Sequence, residues 1–255
     1  MKNIELFANI SIGHENDFDV LHKRIVAAAQ CNADALVITK STPDVIIPKH
    51  KRYVAMESKW GELPYIEVAN KSELDDFTVK KFNDLTKQIG IPVIWCITDI
   101  QAGDWVLEHT TCKDIKIHFD SQNDLDLLEF CFNNFEKVRY CGNNENIKLL
   151  YNMYPSKTVR REKLFLYHTT IKFPPQVEEL KLSRIDELRK LFPDANIGFE
   201  GRCEAIYPDC AVALKNINYI EKYLGDEEEF NPAVLSHQKF YDFFVNMNQL
   251  EIANG

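Results

Sequence analysis

Residues 4–39 begin with the apolar run IELFANISI (residues 4–12) and end with the apolar run ALVIT (residues 35–39). Between them, residues 18–29 carry apolar side chains at helical spacing, and one helical face collects Val20, Leu21, Ile25 and Ala28. Two parallel strands are usually connected by an α-helix, which gives a strand–helix–strand unit. This stretch therefore predicts a strand–helix–strand unit of a parallel sheet.

The same alternation continues along the rest of the chain. Predicted strands cover residues 4–12, 35–39, 91–98, 114–119, 138–141, 164–169, 196–200 and 219–224. Predicted helices cover residues 18–29, 76–89, 105–108, 125–134, 147–153, 183–191, 210–214 and 235–248. The strands are continuous apolar runs, which is typical of a parallel sheet covered on both faces. Eight units in 255 residues, about 32 residues each, favour a closed (β/α)8 TIM barrel, a single α/β domain, over an open doubly wound sheet.

Two segments exceed a minimal strand–helix unit. Residues 41–74 contain Pro43, Pro48 and Pro64 and are too long for an ordinary loop, so we expect this segment to lie over the barrel mouth, where it could act as a lid. Residues 155–162 form a smaller polar insertion. No linker or shift in composition marks a second domain, so we expect one barrel over residues 1–255.

Composition excludes several classes of function. With 45% hydrophobic and 27% charged residues, the chain can bury a core and is not a disordered protein. Its 30 Lys and Arg against 39 Asp and Glu give a net charge of −9, so no nucleic-acid partner is expected. No apolar run reaches the length of a membrane span, so no membrane partner is expected. The seven cysteines are scattered singly, which argues against a disulfide framework or a zinc module and indicates a cytoplasmic protein.

Polar side chains stand where the predicted strands end, and in such barrels these ends carry the chemistry. We assign candidate catalytic roles to Lys116, His168 and Glu200, and candidate substrate-binding roles to His14, Lys40, Arg202 and Tyr223. His168 follows a buried strand, where a neutral imidazole binds a metal or transfers a proton. The alternative is a histidine that is hydrogen-bonded to a neighbouring strand end. Glu200 is the obvious second metal ligand, but Arg202 beside it would repel a divalent cation.

The cationic candidates suggest two further chemistries. Lys116, Lys40 and Arg202 could hold a small anionic or sugar ligand, whereas the acidic run at residues 226–229 argues against a phosphate cradle after the eighth strand. Lys116 could also form a Schiff base, as in aldolase barrels. The alternative is a lysine that points outward onto a helix. The sequence contains no glycine-rich nucleotide loop, nucleophile elbow or metalloprotease motif.

Six blocks of sequence, in order, resemble the catalytic barrel of the sialic acid synthases. They are residues 7–17 (FANISIGHEND), 32–39 (NADALVIT), 116–117 (KI), 167–174 (YHTTIKFP), 197–202 (IGFEGR) and 220–223 (IEKY). The resemblance spans residues 6–247. It implies a TIM barrel of nonulosonate or surface-sugar biosynthesis that condenses phosphoenolpyruvate with an N-acetylated hexosamine and uses Mn²⁺ or Mg²⁺.

The resemblance also implies a site in which most residues are replaced here. Lys116, His14 and His168 stand at matching positions, whereas the acid–base glutamate of the first strand corresponds to Asn9 and the second metal-binding histidine corresponds to Arg202. Val37 and Thr39 replace the second-strand lysine and glutamine, and Phe119, Cys141 and Ile171 replace the phosphate-binding serines. Gly201 replaces the aspartate before the second histidine, and Tyr223 replaces the last-strand histidine. One histidine beside an arginine should not hold a divalent metal in the family's manner.

Three hypotheses about function follow from these patterns. The first is a synthase-related enzyme that handles an acidic sugar or keto-acid with a rearranged site. The second is a catalytically inactive barrel with a partner-binding or regulatory role, whose partner is a second copy of the chain or another protein of the pathway. The third is an aldolase-like lyase that uses Lys116. The sequence ends at Gly255, so we expect the family's C-terminal antifreeze-like domain to be absent.

Overall fold

The computed structural model describes residues 4–142, 144–153, 156–226, 231 and 233–254. Its strands are β1 (Glu5–Asn9), β2 (Ala35–Lys40), β3 (Ala55–Ser58), β4 (Gly61–Pro64), β5 (Val93–Ile97), β6 (Asp114–Ile117), β7 (Lys137–Tyr140), β8 (Leu164–His168), β9 (Asn196–Gly201), β10 (Tyr219–Leu224) and β11 (Val234–Leu235). Its α-helices are α1 (Phe18–Gln30), α2 (Pro43–Ile46), α3 (Tyr65–Ser72), α4 (Asp76–Ile89), α5 (Ile100–His109), α6 (Leu125–Asn134), α7 (Asn144–Met153), α8 (Lys157–Lys163), α9 (Arg184–Leu191), α10 (Tyr207–Ala213) and α11 (His237–Asn254).

Eight parallel strands close into a barrel in the order β1-β2-β5-β6-β7-β8-β9-β10. The barrel closes where β1 pairs with β10, in a register that sets Glu5 opposite Tyr219 and Asn9 opposite Tyr223. Closure leaves neither end strand with an unpaired edge. The predicted (β/α)8 barrel is thus confirmed, and the open-sheet alternative is wrong.

The period of two along each strand separates two apolar layers. Odd-numbered side chains of β1, β2 and β8, including Phe7, Val37 and Phe165, fill the lumen of the barrel. The intervening side chains, including Leu36 and Leu166, pack outward against the helices. The register of each strand therefore decides whether a polar residue at its end faces the lumen or the helix layer.

An arginine closes the amino-terminal end of the lumen. Arg139 binds Asp114 through two hydrogen bonds of 2.8 and 2.7 Å. Its guanidinium lies 4.7 to 4.9 Å from the ring centroids of Phe7, Phe165 and Tyr219. Burial opposes the charge, but the pKa of Arg139 remains above its ordinary value because tyrosine and carboxylate groups surround it. A paired, ring-enclosed cation plugs this end, so the open cavity lies at the other end.

Aspartate caps begin several helices near their predicted starts. Asp17 accepts hydrogen bonds from the first turn of α1, Asp75 from Thr78 N at 2.7 Å, and Asp99 from Ala102 N at 2.9 Å. Each carboxylate satisfies a backbone N–H that has no partner within its helix. The cap at Asp99 starts α5 at Ile100, so this helix is longer than the predicted residues 105–108.

Other boundaries also differ from the predictions. Strand β1 ends at Asn9 rather than at residue 12, because the Asn9 side chain accepts the backbone N–H of Ser11 at 3.0 Å and turns the chain. The polar insertion forms helix α8 over Lys157–Lys163, and the short strand β11 precedes α11. Residue 155 of that insertion and residues 227–229 of the acidic run lie outside the described residues. Among the helices described, none is long and apolar enough to cross a membrane.

We expect Gly198→Ala to destabilise the barrel, because a Cβ there would lie 2.0 Å from Cε2 of the buried Tyr219 ring. Overpacking of this kind costs about 1–3 kcal/mol, which urea titration would measure as a loss in the free energy of unfolding. The matched control is the same substitution in a Tyr219→Val background, where the loss should shrink. An equal loss in both backgrounds would show that the ring is not the cause.

Candidate functional site

A cavity of about 280 Å³ opens at the carboxyl-terminal end of the barrel. Its lining comes from strand ends and from the loops that follow them. The lining residues are Asn9, Ser11, Ile12, Thr39, Cys96, Lys116, His118, Phe119, Asp120, Ile171, Phe173, Glu200, Arg202 and Tyr223. The cavity thus lies at the end of the barrel where chemistry is expected.

Lys116 lies between two buried carboxylates at the floor of this cavity. Its Nζ is 2.7 Å from Glu221 Oε1 and 3.2 Å from Glu200 Oε2, and it lies 4.6 Å from the Tyr167 ring centroid. Burial alone would lower the pKa of Lys116, but the two carboxylates outweigh burial and raise the pKa above its ordinary value. Lys116 is therefore an ammonium ion at neutral pH.

Glu200 collects donors from four residues. Besides Lys116, it accepts hydrogen bonds from Arg202 Nε at 2.9 Å, Tyr223 OH at 2.6 Å and Thr169 Oγ1 at 2.8 Å. Burial would raise the pKa of Glu200, yet Lys116 and Arg202 hold it well below its usual range. Glu200 is an ionised carboxylate whose oxygens are already engaged.

Asn9 completes the cluster on the opposite side of Lys116. Its Nδ2 donates to Glu221 Oε1 at 2.7 Å, the same oxygen that binds Lys116. The resemblance places a glutamate at this position, which would put a further carboxylate against Glu221. An amide donates a hydrogen bond there instead and does not titrate.

His168 does not face the cavity, in contrast to its predicted position. Because Phe165 and Tyr167 of β8 fill the lumen, His168 points to the helix layer. There its Nε2 lies 2.6 Å from the carbonyl oxygen of Leu180, and its ring stacks on Phe199 at 5.8 Å. Burial lowers the pKa of His168, so its imidazole is neutral and donates to this carbonyl.

Two other candidate residues and the predicted lid also lie outside the cavity lining. Lys40 binds Glu73 at 2.9 Å, and His14 Nδ1 accepts the backbone N–H of Asn16 at 3.1 Å. No residue of the fully described segment 41–74 lines the cavity. This segment forms α2, the β3–β4 hairpin and α3, and its role as a lid stays a prediction.

Four of the seven sequence candidates therefore meet in one site: Lys116, Glu200, Arg202 and Tyr223. Sequence reasoning did not select Asn9, Glu221 or His118 as site residues. Asn9 and Glu221 stand two residues from lumen-facing Phe7 and Tyr219, so their period-two spacing was the signal that could have found them. His118 follows Lys116 at the same spacing.

The divalent metal that the resemblance implies does not fit these residues. His168 is hydrogen-bonded in the helix layer, and the other histidine position holds Arg202, whose Nε is bound to Glu200. The two central carboxylates already share the Lys116 ammonium. Within the ranges that the structure describes, no three His, Cys, Asp or Glu side chains are placed to hold a metal ion.

The closed barrel and its strand-end cluster define a (β/α)8 protein with a buried, charge-paired lumen. Residues 24–252 match the sequence model of the NeuB family. The chain belongs to this family. The family resemblance seen in the sequence blocks is thereby confirmed.

Known proteins resemble the chain in sequence and in fold. It is 22% identical over 221 residues to N-acetylneuraminate-9-phosphate synthase of Mus musculus and 21% identical to that of Homo sapiens, covering 86% of this chain and 61% of each relative. It superposes with a TM-score of 0.84 and 14% identity on N-acetylneuraminic acid synthetase of Leptospira borgpetersenii, over 99% of this chain and 85% of that one. It superposes on a putative spore coat polysaccharide biosynthesis protein E of Chromobacterium violaceum with a TM-score of 0.83 and 18% identity, over 98% of this chain and 76% of that one. The chain thus spans about three fifths of the length of the synthases it matches.

We expect protonation of His14 to lower the stability of the fold in acid. Burial, and then the charges of Arg24, Lys59 and Lys40, lower the pKa of His14 from 6.5 to about 4. The unfolded chain binds a proton in this interval that the folded chain does not, so this stability is complete above pH 6.5 and is lost as pH falls towards 4. Between pH 6.5 and pH 4, the loss in the free energy of unfolding should be about 3 kcal/mol smaller in His14→Gln than in the wild type. Urea titration at each pH would measure this difference.

The control for this measurement is His22→Gln, which removes an exposed histidine of α1. It should leave the pH dependence of the unfolding free energy as it is in the wild type. Identical curves for His14→Gln and the wild type would contradict the assignment.

We expect Lys116 not to form a Schiff base, because an ammonium ion held by two carboxylates has no lone pair to add to a carbonyl. Incubation with pyruvate and borohydride, followed by peptide mass analysis, should leave Lys116 unmodified. A Lys116→Met variant identifies the peptide concerned. A reduced pyruvyl adduct on Lys116 would favour the aldolase-like hypothesis instead.

Proposed function

We propose that this chain is a NeuB-family barrel of carbohydrate biosynthesis that binds a small sugar-like ligand in its lumen and does not catalyse the metal-dependent condensation with phosphoenolpyruvate. In this proposal it is a cytoplasmic protein that acts as a ligand-dependent partner or regulator, as a homodimer or with another protein of the pathway. Family membership supports the pathway, and the names of its relatives, a sialic acid synthase and a polysaccharide biosynthesis protein, agree with it.

The pairing of Arg202 with Glu200 carries the proposal. The guanidinium stands where the resemblance places a metal ligand, and its Nε lies 2.9 Å from the carboxylate. A divalent ion near this point would meet a fixed positive charge and a carboxylate that is already neutralised. Binding of Mn²⁺ would require the Glu200 pairs to break within a buried site, which is costly.

The altered acid–base position gives independent support. Asn9 replaces the titratable carboxyl group that the resemblance places on the first strand, and its amide is fixed at both ends, to Glu221 and to the backbone of Ser11. The architecture of the lumen and its polar lining persist, which is what ligand binding without condensation requires.

We expect no product and no metal response. Purified protein incubated with phosphoenolpyruvate, N-acetylmannosamine and Mn²⁺ should release no phosphate and form no nonulosonate. Its melting temperature should not change on addition of phosphoenolpyruvate and Mn²⁺, although a ligand at 100 times its Kd would stabilise the fold by about 2.7 kcal/mol. The mouse synthase serves as the positive control and is supplied with N-acetylmannosamine 6-phosphate, because the product in its name carries a phosphate group.

An Arg202→His variant makes this test more specific. Restoring the histidine alone should not restore Mn²⁺ binding, because His168 faces Leu180 rather than the lumen. Phosphate release by the wild type, or a Mn²⁺-dependent rise in melting temperature that a chelator reverses, would overturn the proposal.

A further inference from the structure

One wall of the cavity presents hydrogen-bonding groups without charge. Asn9, Ser11 and Thr39 line it from the ends of β1 and β2. Thr39 Oγ1 donates to Ser11 Oγ at 2.9 Å, which leaves the Ser11 hydroxyl hydrogen to be donated to a ligand. Groups of this kind recognise hydroxyl and amide groups.

The other wall is aromatic and surrounds Arg202. The guanidinium lies 5.8 Å from the ring centroid of Phe119 and 5.7 Å from that of Phe173, and Phe173 meets Tyr223 edge to face at 4.9 Å. Nη2 of Arg202 makes no hydrogen bond to any residue that the structure describes, so it can donate to a ligand. Aromatic side chains beside a hydrogen-bond donor such as Nη2 of Arg202 suit a ligand that has an apolar ring face and hydroxyl groups at the edge of its ring.

The charges around the cavity do not favour an anion. Lys116 and Arg202 are both paired with buried carboxylates, Glu200 and Glu221, at 2.7 to 3.2 Å. Asp120 adds a largely exposed carboxylate to the lining. Both cations of the lining are already paired with carboxylates, so an incoming dianion meets no free cation and is repelled by Asp120.

His118 does not reverse this balance. Its Nδ1 accepts the backbone N–H of Asp120 at 3.3 Å and lies 3.6 Å from the Asp120 carboxylate. Burial lowers the pKa of His118. The charges of Asp120 and Glu200 raise this pKa, and those of Lys116 and Arg202 lower it. The ring is therefore neutral at pH 7, and its Nε2 carries the hydrogen.

We infer that the lumen selects an uncharged, hydroxyl-bearing ring ligand over its phosphorylated or carboxylated counterparts, and that Asp120 and Glu200 set this selectivity. The inference rests on the proposed function, because it assumes that the cavity binds a ligand. The resemblance implies two ligands, phosphoenolpyruvate and an N-acetylated hexosamine, and the inference retains only the uncharged class.

The test compares probes that differ only in charge. Calorimetry with N-acetylmannosamine and N-acetylmannosamine 6-phosphate, at low ionic strength, should show the neutral sugar binding about tenfold tighter or more. The ratio of the Kd of the phosphorylated sugar to the Kd of the neutral sugar should fall about threefold in Asp120→Asn, because the exposed Asp120 charge is partly screened. The same ratio should fall about tenfold in Glu200→Gln. Near 1 M salt the effect of Asp120→Asn should vanish.

Asp104→Asn is the matched control, because it removes the same charge from an exposed position on α5 outside the cavity. It should leave the ratio unchanged. If Glu200→Gln fails to fold, Asp120→Asn against Asp104→Asn still decides the question.

The outcomes separate the two ideas. Phosphorylated sugar binding as tightly as the neutral sugar, or equal effects of Asp120→Asn and Asp104→Asn, would overturn this inference while the proposed ligand-binding role stands. Absence of binding by both probes would overturn the proposed role and the inference with it. Product formation from phosphoenolpyruvate would overturn the proposed function directly.

Discussion

The Lys116 ammonium, held between Glu200 and Glu221, is the interaction on which the rest of the site depends. Two carboxylates buried so close together would repel each other and take up a proton if no cation lay between them. Lys116 helps to hold the pKa of Glu200 well below its usual range, and each carboxylate binds further donors. Asn9 binds to one carboxylate, and Arg202, Tyr223 and Thr169 bind to the other.

This pairing also constrains which side chains the lumen can hold. A buried charge that loses its partner costs about 3–5 kcal/mol, so each charged group of the cluster constrains the others. Arg202 can be buried here because Glu200 balances its charge. The Asn9 amide fits beside Glu221 because it donates a hydrogen bond to this carboxylate and adds no negative charge. The charges of this cluster are thus balanced by neighbouring side chains.

A second charged pair, Arg139 with Asp114, plays the corresponding role at the amino-terminal end. It is enclosed by aromatic rings and closes the lumen, whereas the Lys116 cluster opens onto the cavity. Tyr167 lies between the two, and its ring contacts Lys116. A polar column thus runs through an apolar barrel, with each charge paired where water is excluded. The cavity therefore opens to solvent at the carboxyl end, where Asp120 and His118 line it.

The sequence by itself determined the barrel, the order of its eight strands and the strand ends at which chemistry gathers, because apolar runs and helical spacing are local properties of the chain. It also placed Lys116, Glu200, Arg202 and Tyr223 at one rim. Only the tertiary structure decided which rim residues face inward. A shift of one residue in register turns a side chain from the lumen to the helix layer, and this separates Tyr167 from its neighbour His168. The pairing of Asn9 with Glu221, 212 positions apart, arises because the barrel closes β1 against β10, a contact that no local pattern specifies.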